Sequence, residues 1–193
     1  MRRTIIATAA LAVLAGTGTV RAQERWAFEI RGGAGMTTQD FGDADLGTGF
    51  GFEGTVRYRI QPHLALYAGW DWYHYSTDES FAGADVDIED TGYAFGFRFE
   101  HPLGTSPAAL WARAGGIYDH AEIEDSDGEI VADSGHGLGW EIGGGLALPI
   151  ARAWKVTPGV RYRMLSRDID IGDARTEIDL SYAALELGFS RVF

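Results

Sequence analysis

Tyr93-Ala94-Phe95-Gly96-Phe97-Arg98-Phe99-Glu100 sets an aromatic ring at every second position, with Ala, Gly, Arg and Glu between them. Successive side chains of a β-strand point to opposite faces, so this stretch has one face of rings and one of small or charged groups. Seven further segments repeat the pattern. Upstream, Trp26, Phe28 and Ile30 oppose Glu29 and Arg31, and Phe50, Phe52, Val56, Tyr58 and Ile60 oppose Glu53, Arg57 and Arg59. Next, Leu64, Leu66, Trp70 and Trp72 oppose Tyr67, Asp71 and Tyr73. Downstream, Leu110, Ala112, Ala114 and Tyr118 oppose Trp111, Arg113 and Ile117, while Leu138, Trp140, Ile142, Leu146 and Leu148 oppose Gly139, Glu141, Gly143 and Gly145. Trp154, Val156, Val160, Tyr162 and Met164 oppose Lys155, Thr157, Arg161 and Arg163, and finally Leu185, Leu187, Phe189 and Phe193 oppose Glu186, Gly188 and Ser190. Just before that last run Ile178, Leu180 and Tyr182 have the opposite parity, which predicts a bulge or phase change near Ala183.

Segments of this length suit tilted strands of about 9 to 11 residues that cross a bilayer. The connections after the second, fourth and sixth are short and hold Pro62, then Pro102 and Pro107, then Pro149. Those after the first, third, fifth and seventh are longer, around 38–47, 76–90, 119–136 and 166–177, and hold twenty of the 28 acids. An even strand count with short turns at one end and long loops at the other predicts an all-β protein: an eight-stranded antiparallel up-and-down transmembrane β-barrel with short periplasmic turns and long acidic extracellular loops.

A soluble barrel or sandwich also alternates, so the decision rests on which face is charged. In a membrane barrel the apolar face meets lipid and the polar face fills the lumen. Here the polar face mixes Arg and Glu with many glycines, which suits a crowded interior and would only weaken a solvated strand. The predicted lumen charge network has six acids, Glu29, Glu53, Asp71, Glu100, Glu141 and Glu186, and eight bases, Arg31, Arg57, Arg59, Arg98, Arg113, Lys155, Arg161 and Arg163. Near balance is what a closed interior requires, because an unpaired buried charge costs several kcal/mol. Trp26, Tyr58, Trp72, Tyr93, Phe99, Tyr118, Trp154 and Phe193, near strand ends on the apolar face, form the predicted aromatic girdle.

The N-terminus carries Arg2 and Arg3, an apolar run from Ile5 to Leu14 and then Val20-Arg21-Ala22. That order predicts a secretory signal at 1–22 cleaved after Ala22, with an apolar run too short to span a bilayer. The barrel domain is then 23–193, ending without a peptidoglycan-binding domain after Phe193. Removing Arg2, Arg3 and Arg21 takes the formal charge from −12 to −15, which argues against nucleic acid as a partner. With no cysteine, thiolate metal sites and cysteine nucleophiles are excluded.

Leu185-Glu186-Leu187-Gly188-Phe189-Ser190-Arg191-Val192-Phe193 alternates down to a terminal Phe. In this, and along the whole mature chain, the sequence resembles the small outer-membrane β-barrels of the OmpA, OmpX and opacity-protein class. The resemblance implies a Gram-negative outer-membrane location and contact with outer-membrane lipid and lipopolysaccharide. It also implies that the barrel-assembly machinery reads Leu185, Leu187, Phe189 and Phe193. Arg191 departs from the pattern, at a rim position where a guanidinium snorkels to water.

The function expected is a structural or surface-interaction role with a filled lumen, since eight strands leave an interior just wide enough for side chains. The alternative is a narrow or gated channel for small solutes. Acids such as Asp78, Glu79, Asp85, Asp87, Glu89 and Asp90, or Glu122, Glu124, Asp125, Asp127, Glu129 and Asp133, are candidates to gather divalent cations against lipopolysaccharide phosphates. Asp125-Ser126-Asp127-Gly128-Glu129 misses the ligand spacing of a calcium loop. His74-Tyr75-Ser76 resembles the His-x-Ser of the outer-membrane lipid A deacylase, but lies mid-chain where that family has it near the C-terminus. No catalytic residue, cofactor or defined metal site is therefore assigned, and the chain is not expected to be an enzyme.

Overall fold

The computed structural model describes residues 25–38, 47–76, 86–125, 130–171 and 174–193. The predicted leader lies outside them, as do Asp78, Glu79, Asp85, Asp127 and Glu129. Nine strands follow in order: β1 (Trp26–Thr37), β2 (Thr48–Gln61), β3 (Leu64–Ser76), β4 (Val86–Pro102), β5 (Ala109–Asp125), β6 (Ile130–Asp133), β7 (Gly137–Pro149), β8 (Trp154–Ile171) and β9 (Ala174–Val192). Eight of them pair antiparallel with their neighbours, and β9 returns to pair with β1, closing a barrel. The short β6 pairs with the far end of β5 on the edge that β7 occupies lower down, and so continues the line of β7.

Three tight connections mark one end of the cylinder. Pro62 and His63 turn β2 into β3. Leu103 N donates to Ala108 O at 2.9 Å across the β4–β5 turn, where Gly104 takes a φ of 58° that a side chain would resist. Ile150 N donates to Trp154 O at 3.0 Å between β7 and β8.

Following paired residues around the barrel from Ala27 leads through Arg57, Tyr67, Gly96, Gly115, Glu141, Arg163 and Tyr182 to Thr37, ten residues further along β1. A stagger of ten over eight strands corresponds to a strand tilt of about 40° at ordinary strand spacings. At that tilt the run from Trp26 to Met36 rises about 25 Å, the height of the apolar band of a transmembrane barrel. Along this band Trp26, Ile30, Met36, Phe50, Phe52, Phe95, Phe97, Val160, Leu185 and Leu187 are all exposed, while the alternate positions are buried or half-buried.

Two sequence expectations change. The register of β9 against β1 runs without a slip from Thr37↔Tyr182 to Ala27↔Val192, so there is no bulge near Ala183. Leu180 and Tyr182 instead point inward, because the long-loop end of the lumen is apolar: Tyr73, Tyr75, Ile88, Ile117, Leu165, Leu180 and Tyr182 form one buried cluster. The second change concerns the long connections. Strands β4, β5, β8 and β9 continue through residues 86–90, 119–125, 166–171 and 174–177, so much of what reads as acidic loop is paired ladder.

Candidate functional site

The barrel interior is stacked in layers along its axis, and in each the odd–even alternation of a strand delivers the side chain inward. Nearest the short-turn end, Glu29 of β1 accepts Arg31, Arg98 at 3.4 Å and the Thr157 hydroxyl at 3.2 Å, and its Oε2 forms an ion pair with Arg57 at 3.1 Å. Arg57 also donates to Ser190 Oγ at 2.5 Å. The Arg98 and Arg31 guanidiniums lie 4.3 and 4.7 Å from the ring centre of Trp111.

At mid-depth three glutamates share four arginines. Glu53 takes both Nη groups of Arg113 at 2.9 and 2.8 Å and Arg161 at 3.0 Å. Glu141 accepts Arg113 at 3.0 Å, Arg161 at 3.3 Å, Arg163 Nε at 3.0 Å and the Tyr67 hydroxyl at 2.6 Å. Glu186 accepts Arg31 at 3.0 Å, Arg161 at 2.5 Å and the Tyr73 hydroxyl at 2.5 Å. Planar guanidinium forks suit this lattice, since each offers five donors in fixed directions. Glycine makes the room: a Cβ on Gly96 would come 2.9 Å from the Tyr67 hydroxyl oxygen.

Above this layer Arg163 reaches Asp71 through both Nη groups, Asp119 at 3.0 Å and Asp90 at 3.7 Å. The Tyr182 hydroxyl accepts from Arg163 at 3.2 Å and donates to Asp90 at 3.0 Å. Beyond it the packed rings of Tyr73, Tyr75 and Tyr182, with centroids 5.3–6.3 Å apart, and the aliphatic cluster fill the lumen.

Of the fourteen charges assigned to the lumen, eleven are buried: Glu29, Arg31, Glu53, Arg57, Asp71, Arg98, Arg113, Glu141, Arg161, Arg163 and Glu186. Glu100 and Lys155 pair with each other, partly exposed, at the short-turn mouth. Arg59 is corrected: it is exposed at that mouth, where the register shifts between Arg59 and Gln61, and lies outside the sealed section. Asp90, read as a loop acid, is corrected too, because β4 carries it inside. Sequence reasoning also left out Asp119, Trp111, Tyr67, Tyr73 and Tyr182 as network members. A buried Tyr or Trp brings its own donor and wants a partner, but the pattern alone does not say which end of the lumen is charged.

The eight girdle aromatics lie at two levels. Trp26, Tyr58, Phe99, Trp154 and Phe193 sit at the short-turn rim, where Trp26 and Tyr58 rings are 4.8 Å apart. Trp72, Tyr93 and Tyr118 lie toward the long-loop end, with Tyr93 paired to Tyr118. The outward row Leu185, Leu187, Phe189 and Phe193 is exposed. Just beyond the upper level is a belt of His74, Glu89, His120, Glu122, Glu124 and Asp133. In it His120 Nδ1 lies 3.3 Å from Asp133 Oδ1 and 3.7 Å from Glu122 Oε1, and Glu89, Glu122 and Glu124 converge beside them. Ser76 Oγ lies 3.4 Å from His74 Nε2 and Glu89 Oε1 lies 3.6 Å from Nδ1, the second too long for a hydrogen bond.

A family model described as outer membrane protein beta-barrel domain matches residues 7–193. Among solved structures, Neisserial surface protein A is 16% identical with a TM-score of 0.60, the alignment covering 88% of this chain and 97% of that one. OprG from Pseudomonas aeruginosa is 14% identical with a TM-score of 0.58, covering 88% and 96%. A major outer membrane protein from Thermus thermophilus is 13% identical with a TM-score of 0.51, covering 87% and 99%. At these identities the likeness is one of fold. No protein of curated function matches the chain.

Proposed function

Because the chain belongs to the outer membrane protein beta-barrel domain family, and is therefore an outer-membrane β-barrel, we propose that it works as a sealed integral barrel whose role is structural and surface-interactive. The single observation that carries this reading is the occupied interior. Side-chain layers from Glu29 to Arg163 are bonded across the lumen, and the tyrosine and aliphatic cluster stands beyond them. A conducting path would have to break several charge-assisted bonds at once, each worth about 1.5–3 kcal/mol. Function then resides in what the barrel displays outside. The belt of His120, Glu122, Asp133, Glu89 and Glu124 lies at headgroup depth, which supports divalent cations bridging it to lipopolysaccharide phosphates. Export is through the leader at 1–22, and the outward row Leu185, Leu187, Phe189 and Phe193 is the segment offered to the assembly machinery. Planar-bilayer recording of the purified protein tests the reading: insertion without steady conductance is expected, and a stable open channel would replace it with the transport alternative.

A further inference from the structure

The periplasmic mouth holds a cavity of about 200 Å³ whose lining includes Arg25, Arg57, Arg59, Arg98 and Lys155 against one acid, Glu100. In a chain of net charge −12 this surplus of cations is not a product of composition. The acids nearby are already taken: Glu100 by Lys155 and Arg57, and Glu29 beneath it by Arg57, Arg98 and Arg31. Nε of Arg57, and Nε and Nη2 of Arg98, have no hydrogen-bond acceptor among the described residues, although both side chains are more than nine-tenths buried. The opposite end of the lumen has the reverse imbalance among the described residues, with Asp71, Asp90 and Asp119 gathered around Arg163, which also reaches Glu141. The interior is thus polarised, and its cationic end opens toward the periplasm.

Cations crowded around a concave site repel one another and focus a positive potential into it, so such a site attracts an anion. We propose that the periplasmic mouth is an oxyanion site that takes a phosphate group, with Arg59, Arg25 and Lys155 at the rim and Arg57 and Arg98 below. Guanidinium forks match the oxygens of a phosphate in pairs. The mouth lies level with Trp26, Tyr58 and Trp154, the depth of the inner-leaflet headgroups. The phosphate therefore comes either from the periplasmic solution or from an anionic phospholipid.

Thermal unfolding of the full barrel separates these sources and tests the site. In zwitterionic detergent, inorganic phosphate is titrated against chloride at equal ionic strength; in vesicles, phosphatidylcholine is compared with and without phosphatidylglycerol. Stabilisation that saturates with free phosphate assigns a soluble ligand, and stabilisation confined to phosphatidylglycerol vesicles assigns a lipid phosphate. In either arm Arg59→Gln is expected to weaken the apparent affinity about tenfold, one charge-assisted bond, and Arg59→Lys to restore part of it. Arg59 is exposed and outside the buried network, so the variant folds. A response to phosphate and phosphatidylglycerol no larger than that to chloride and phosphatidylcholine overturns the proposal. So does an Arg59→Gln barrel that responds like wild type.

Discussion

Arg163 is the residue on which the outer half of the lumen depends. Its guanidinium touches Asp71, Asp119 and Glu141 and the Tyr182 hydroxyl, all buried, and Asp90 is 3.7 Å away. Removing the shared cation leaves several desolvated carboxylates facing one another, whereas breaking one exposed pair costs little. Arg163→Leu is expected to lower unfolding stability in lipid vesicles by about 3–5 kcal/mol, the range for a buried pair left without a partner. The partly exposed Lys155→Gln should cost about 1 kcal/mol or less when both variants are unfolded with urea from vesicles. Arg163→Lys should fall between them, because an ammonium supplies charge without the fork. The alternation of β8 gives Arg163 as an inward residue from sequence alone. Its partners Asp90 and Asp119 were hidden, because acidic stretches with weak strand propensity look like loop.

The element that sequence describes least well is the extension of β4 and β5 beyond the outer girdle. Residues 86–90 and 119–125 pair in unbroken register, from Val86↔Asp125 to Asp90↔Ala121 and on into the barrel. What holds the ladder is inward burial of Ile88, Ile117 and Ile123, while the outward face gathers acids. Glu124 has its carboxyl pushed above the usual range, first by desolvation and then by the charges of Glu89 and Glu122. A group whose folded-state pKa is raised stabilises the fold when protonated, and that contribution is lost as pH rises through the folded value. Amide-exchange protection factors of 87–90 and 121–124 should therefore rise as pH falls from neutral through the carboxylate range. Glu124→Gln should show the higher protection already at neutral pH and a flatter pH response. A pH response in the variant equal to that of wild type would remove Glu124 as the cause.

For the whole molecule, closure and the apolar band go together. A closed ladder leaves no strand edge in hydrocarbon, where unpaired backbone groups cost several kcal/mol each. The band then fixes depth: Phe95 sits near its middle, whereas Phe99 sits at the periplasmic rim on the same face of the same strand. Phe95→Arg should destabilise the barrel by about 2–4 kcal/mol and Phe99→Arg by about 0–1 kcal/mol, measured by guanidinium unfolding from vesicles. Equal costs at the two positions would mean that the outward face does not meet a bilayer.

Period-two alternation by itself determined that the barrel domain is built of strands, that eight of them cross, and which side chains of each strand share a face. It does so because inward and outward positions are fixed locally, one residue at a time. Only the tertiary structure decided the stagger of ten, since that number is a property of all eight pairings taken together. With it came the partners of each charge, the polarity of the lumen from cationic mouth to acidic and then aliphatic outer end, and the inward turn of Leu180 and Tyr182 without a bulge. The height of a side chain along the axis, and so what it meets across the lumen, depends on strands far apart in sequence.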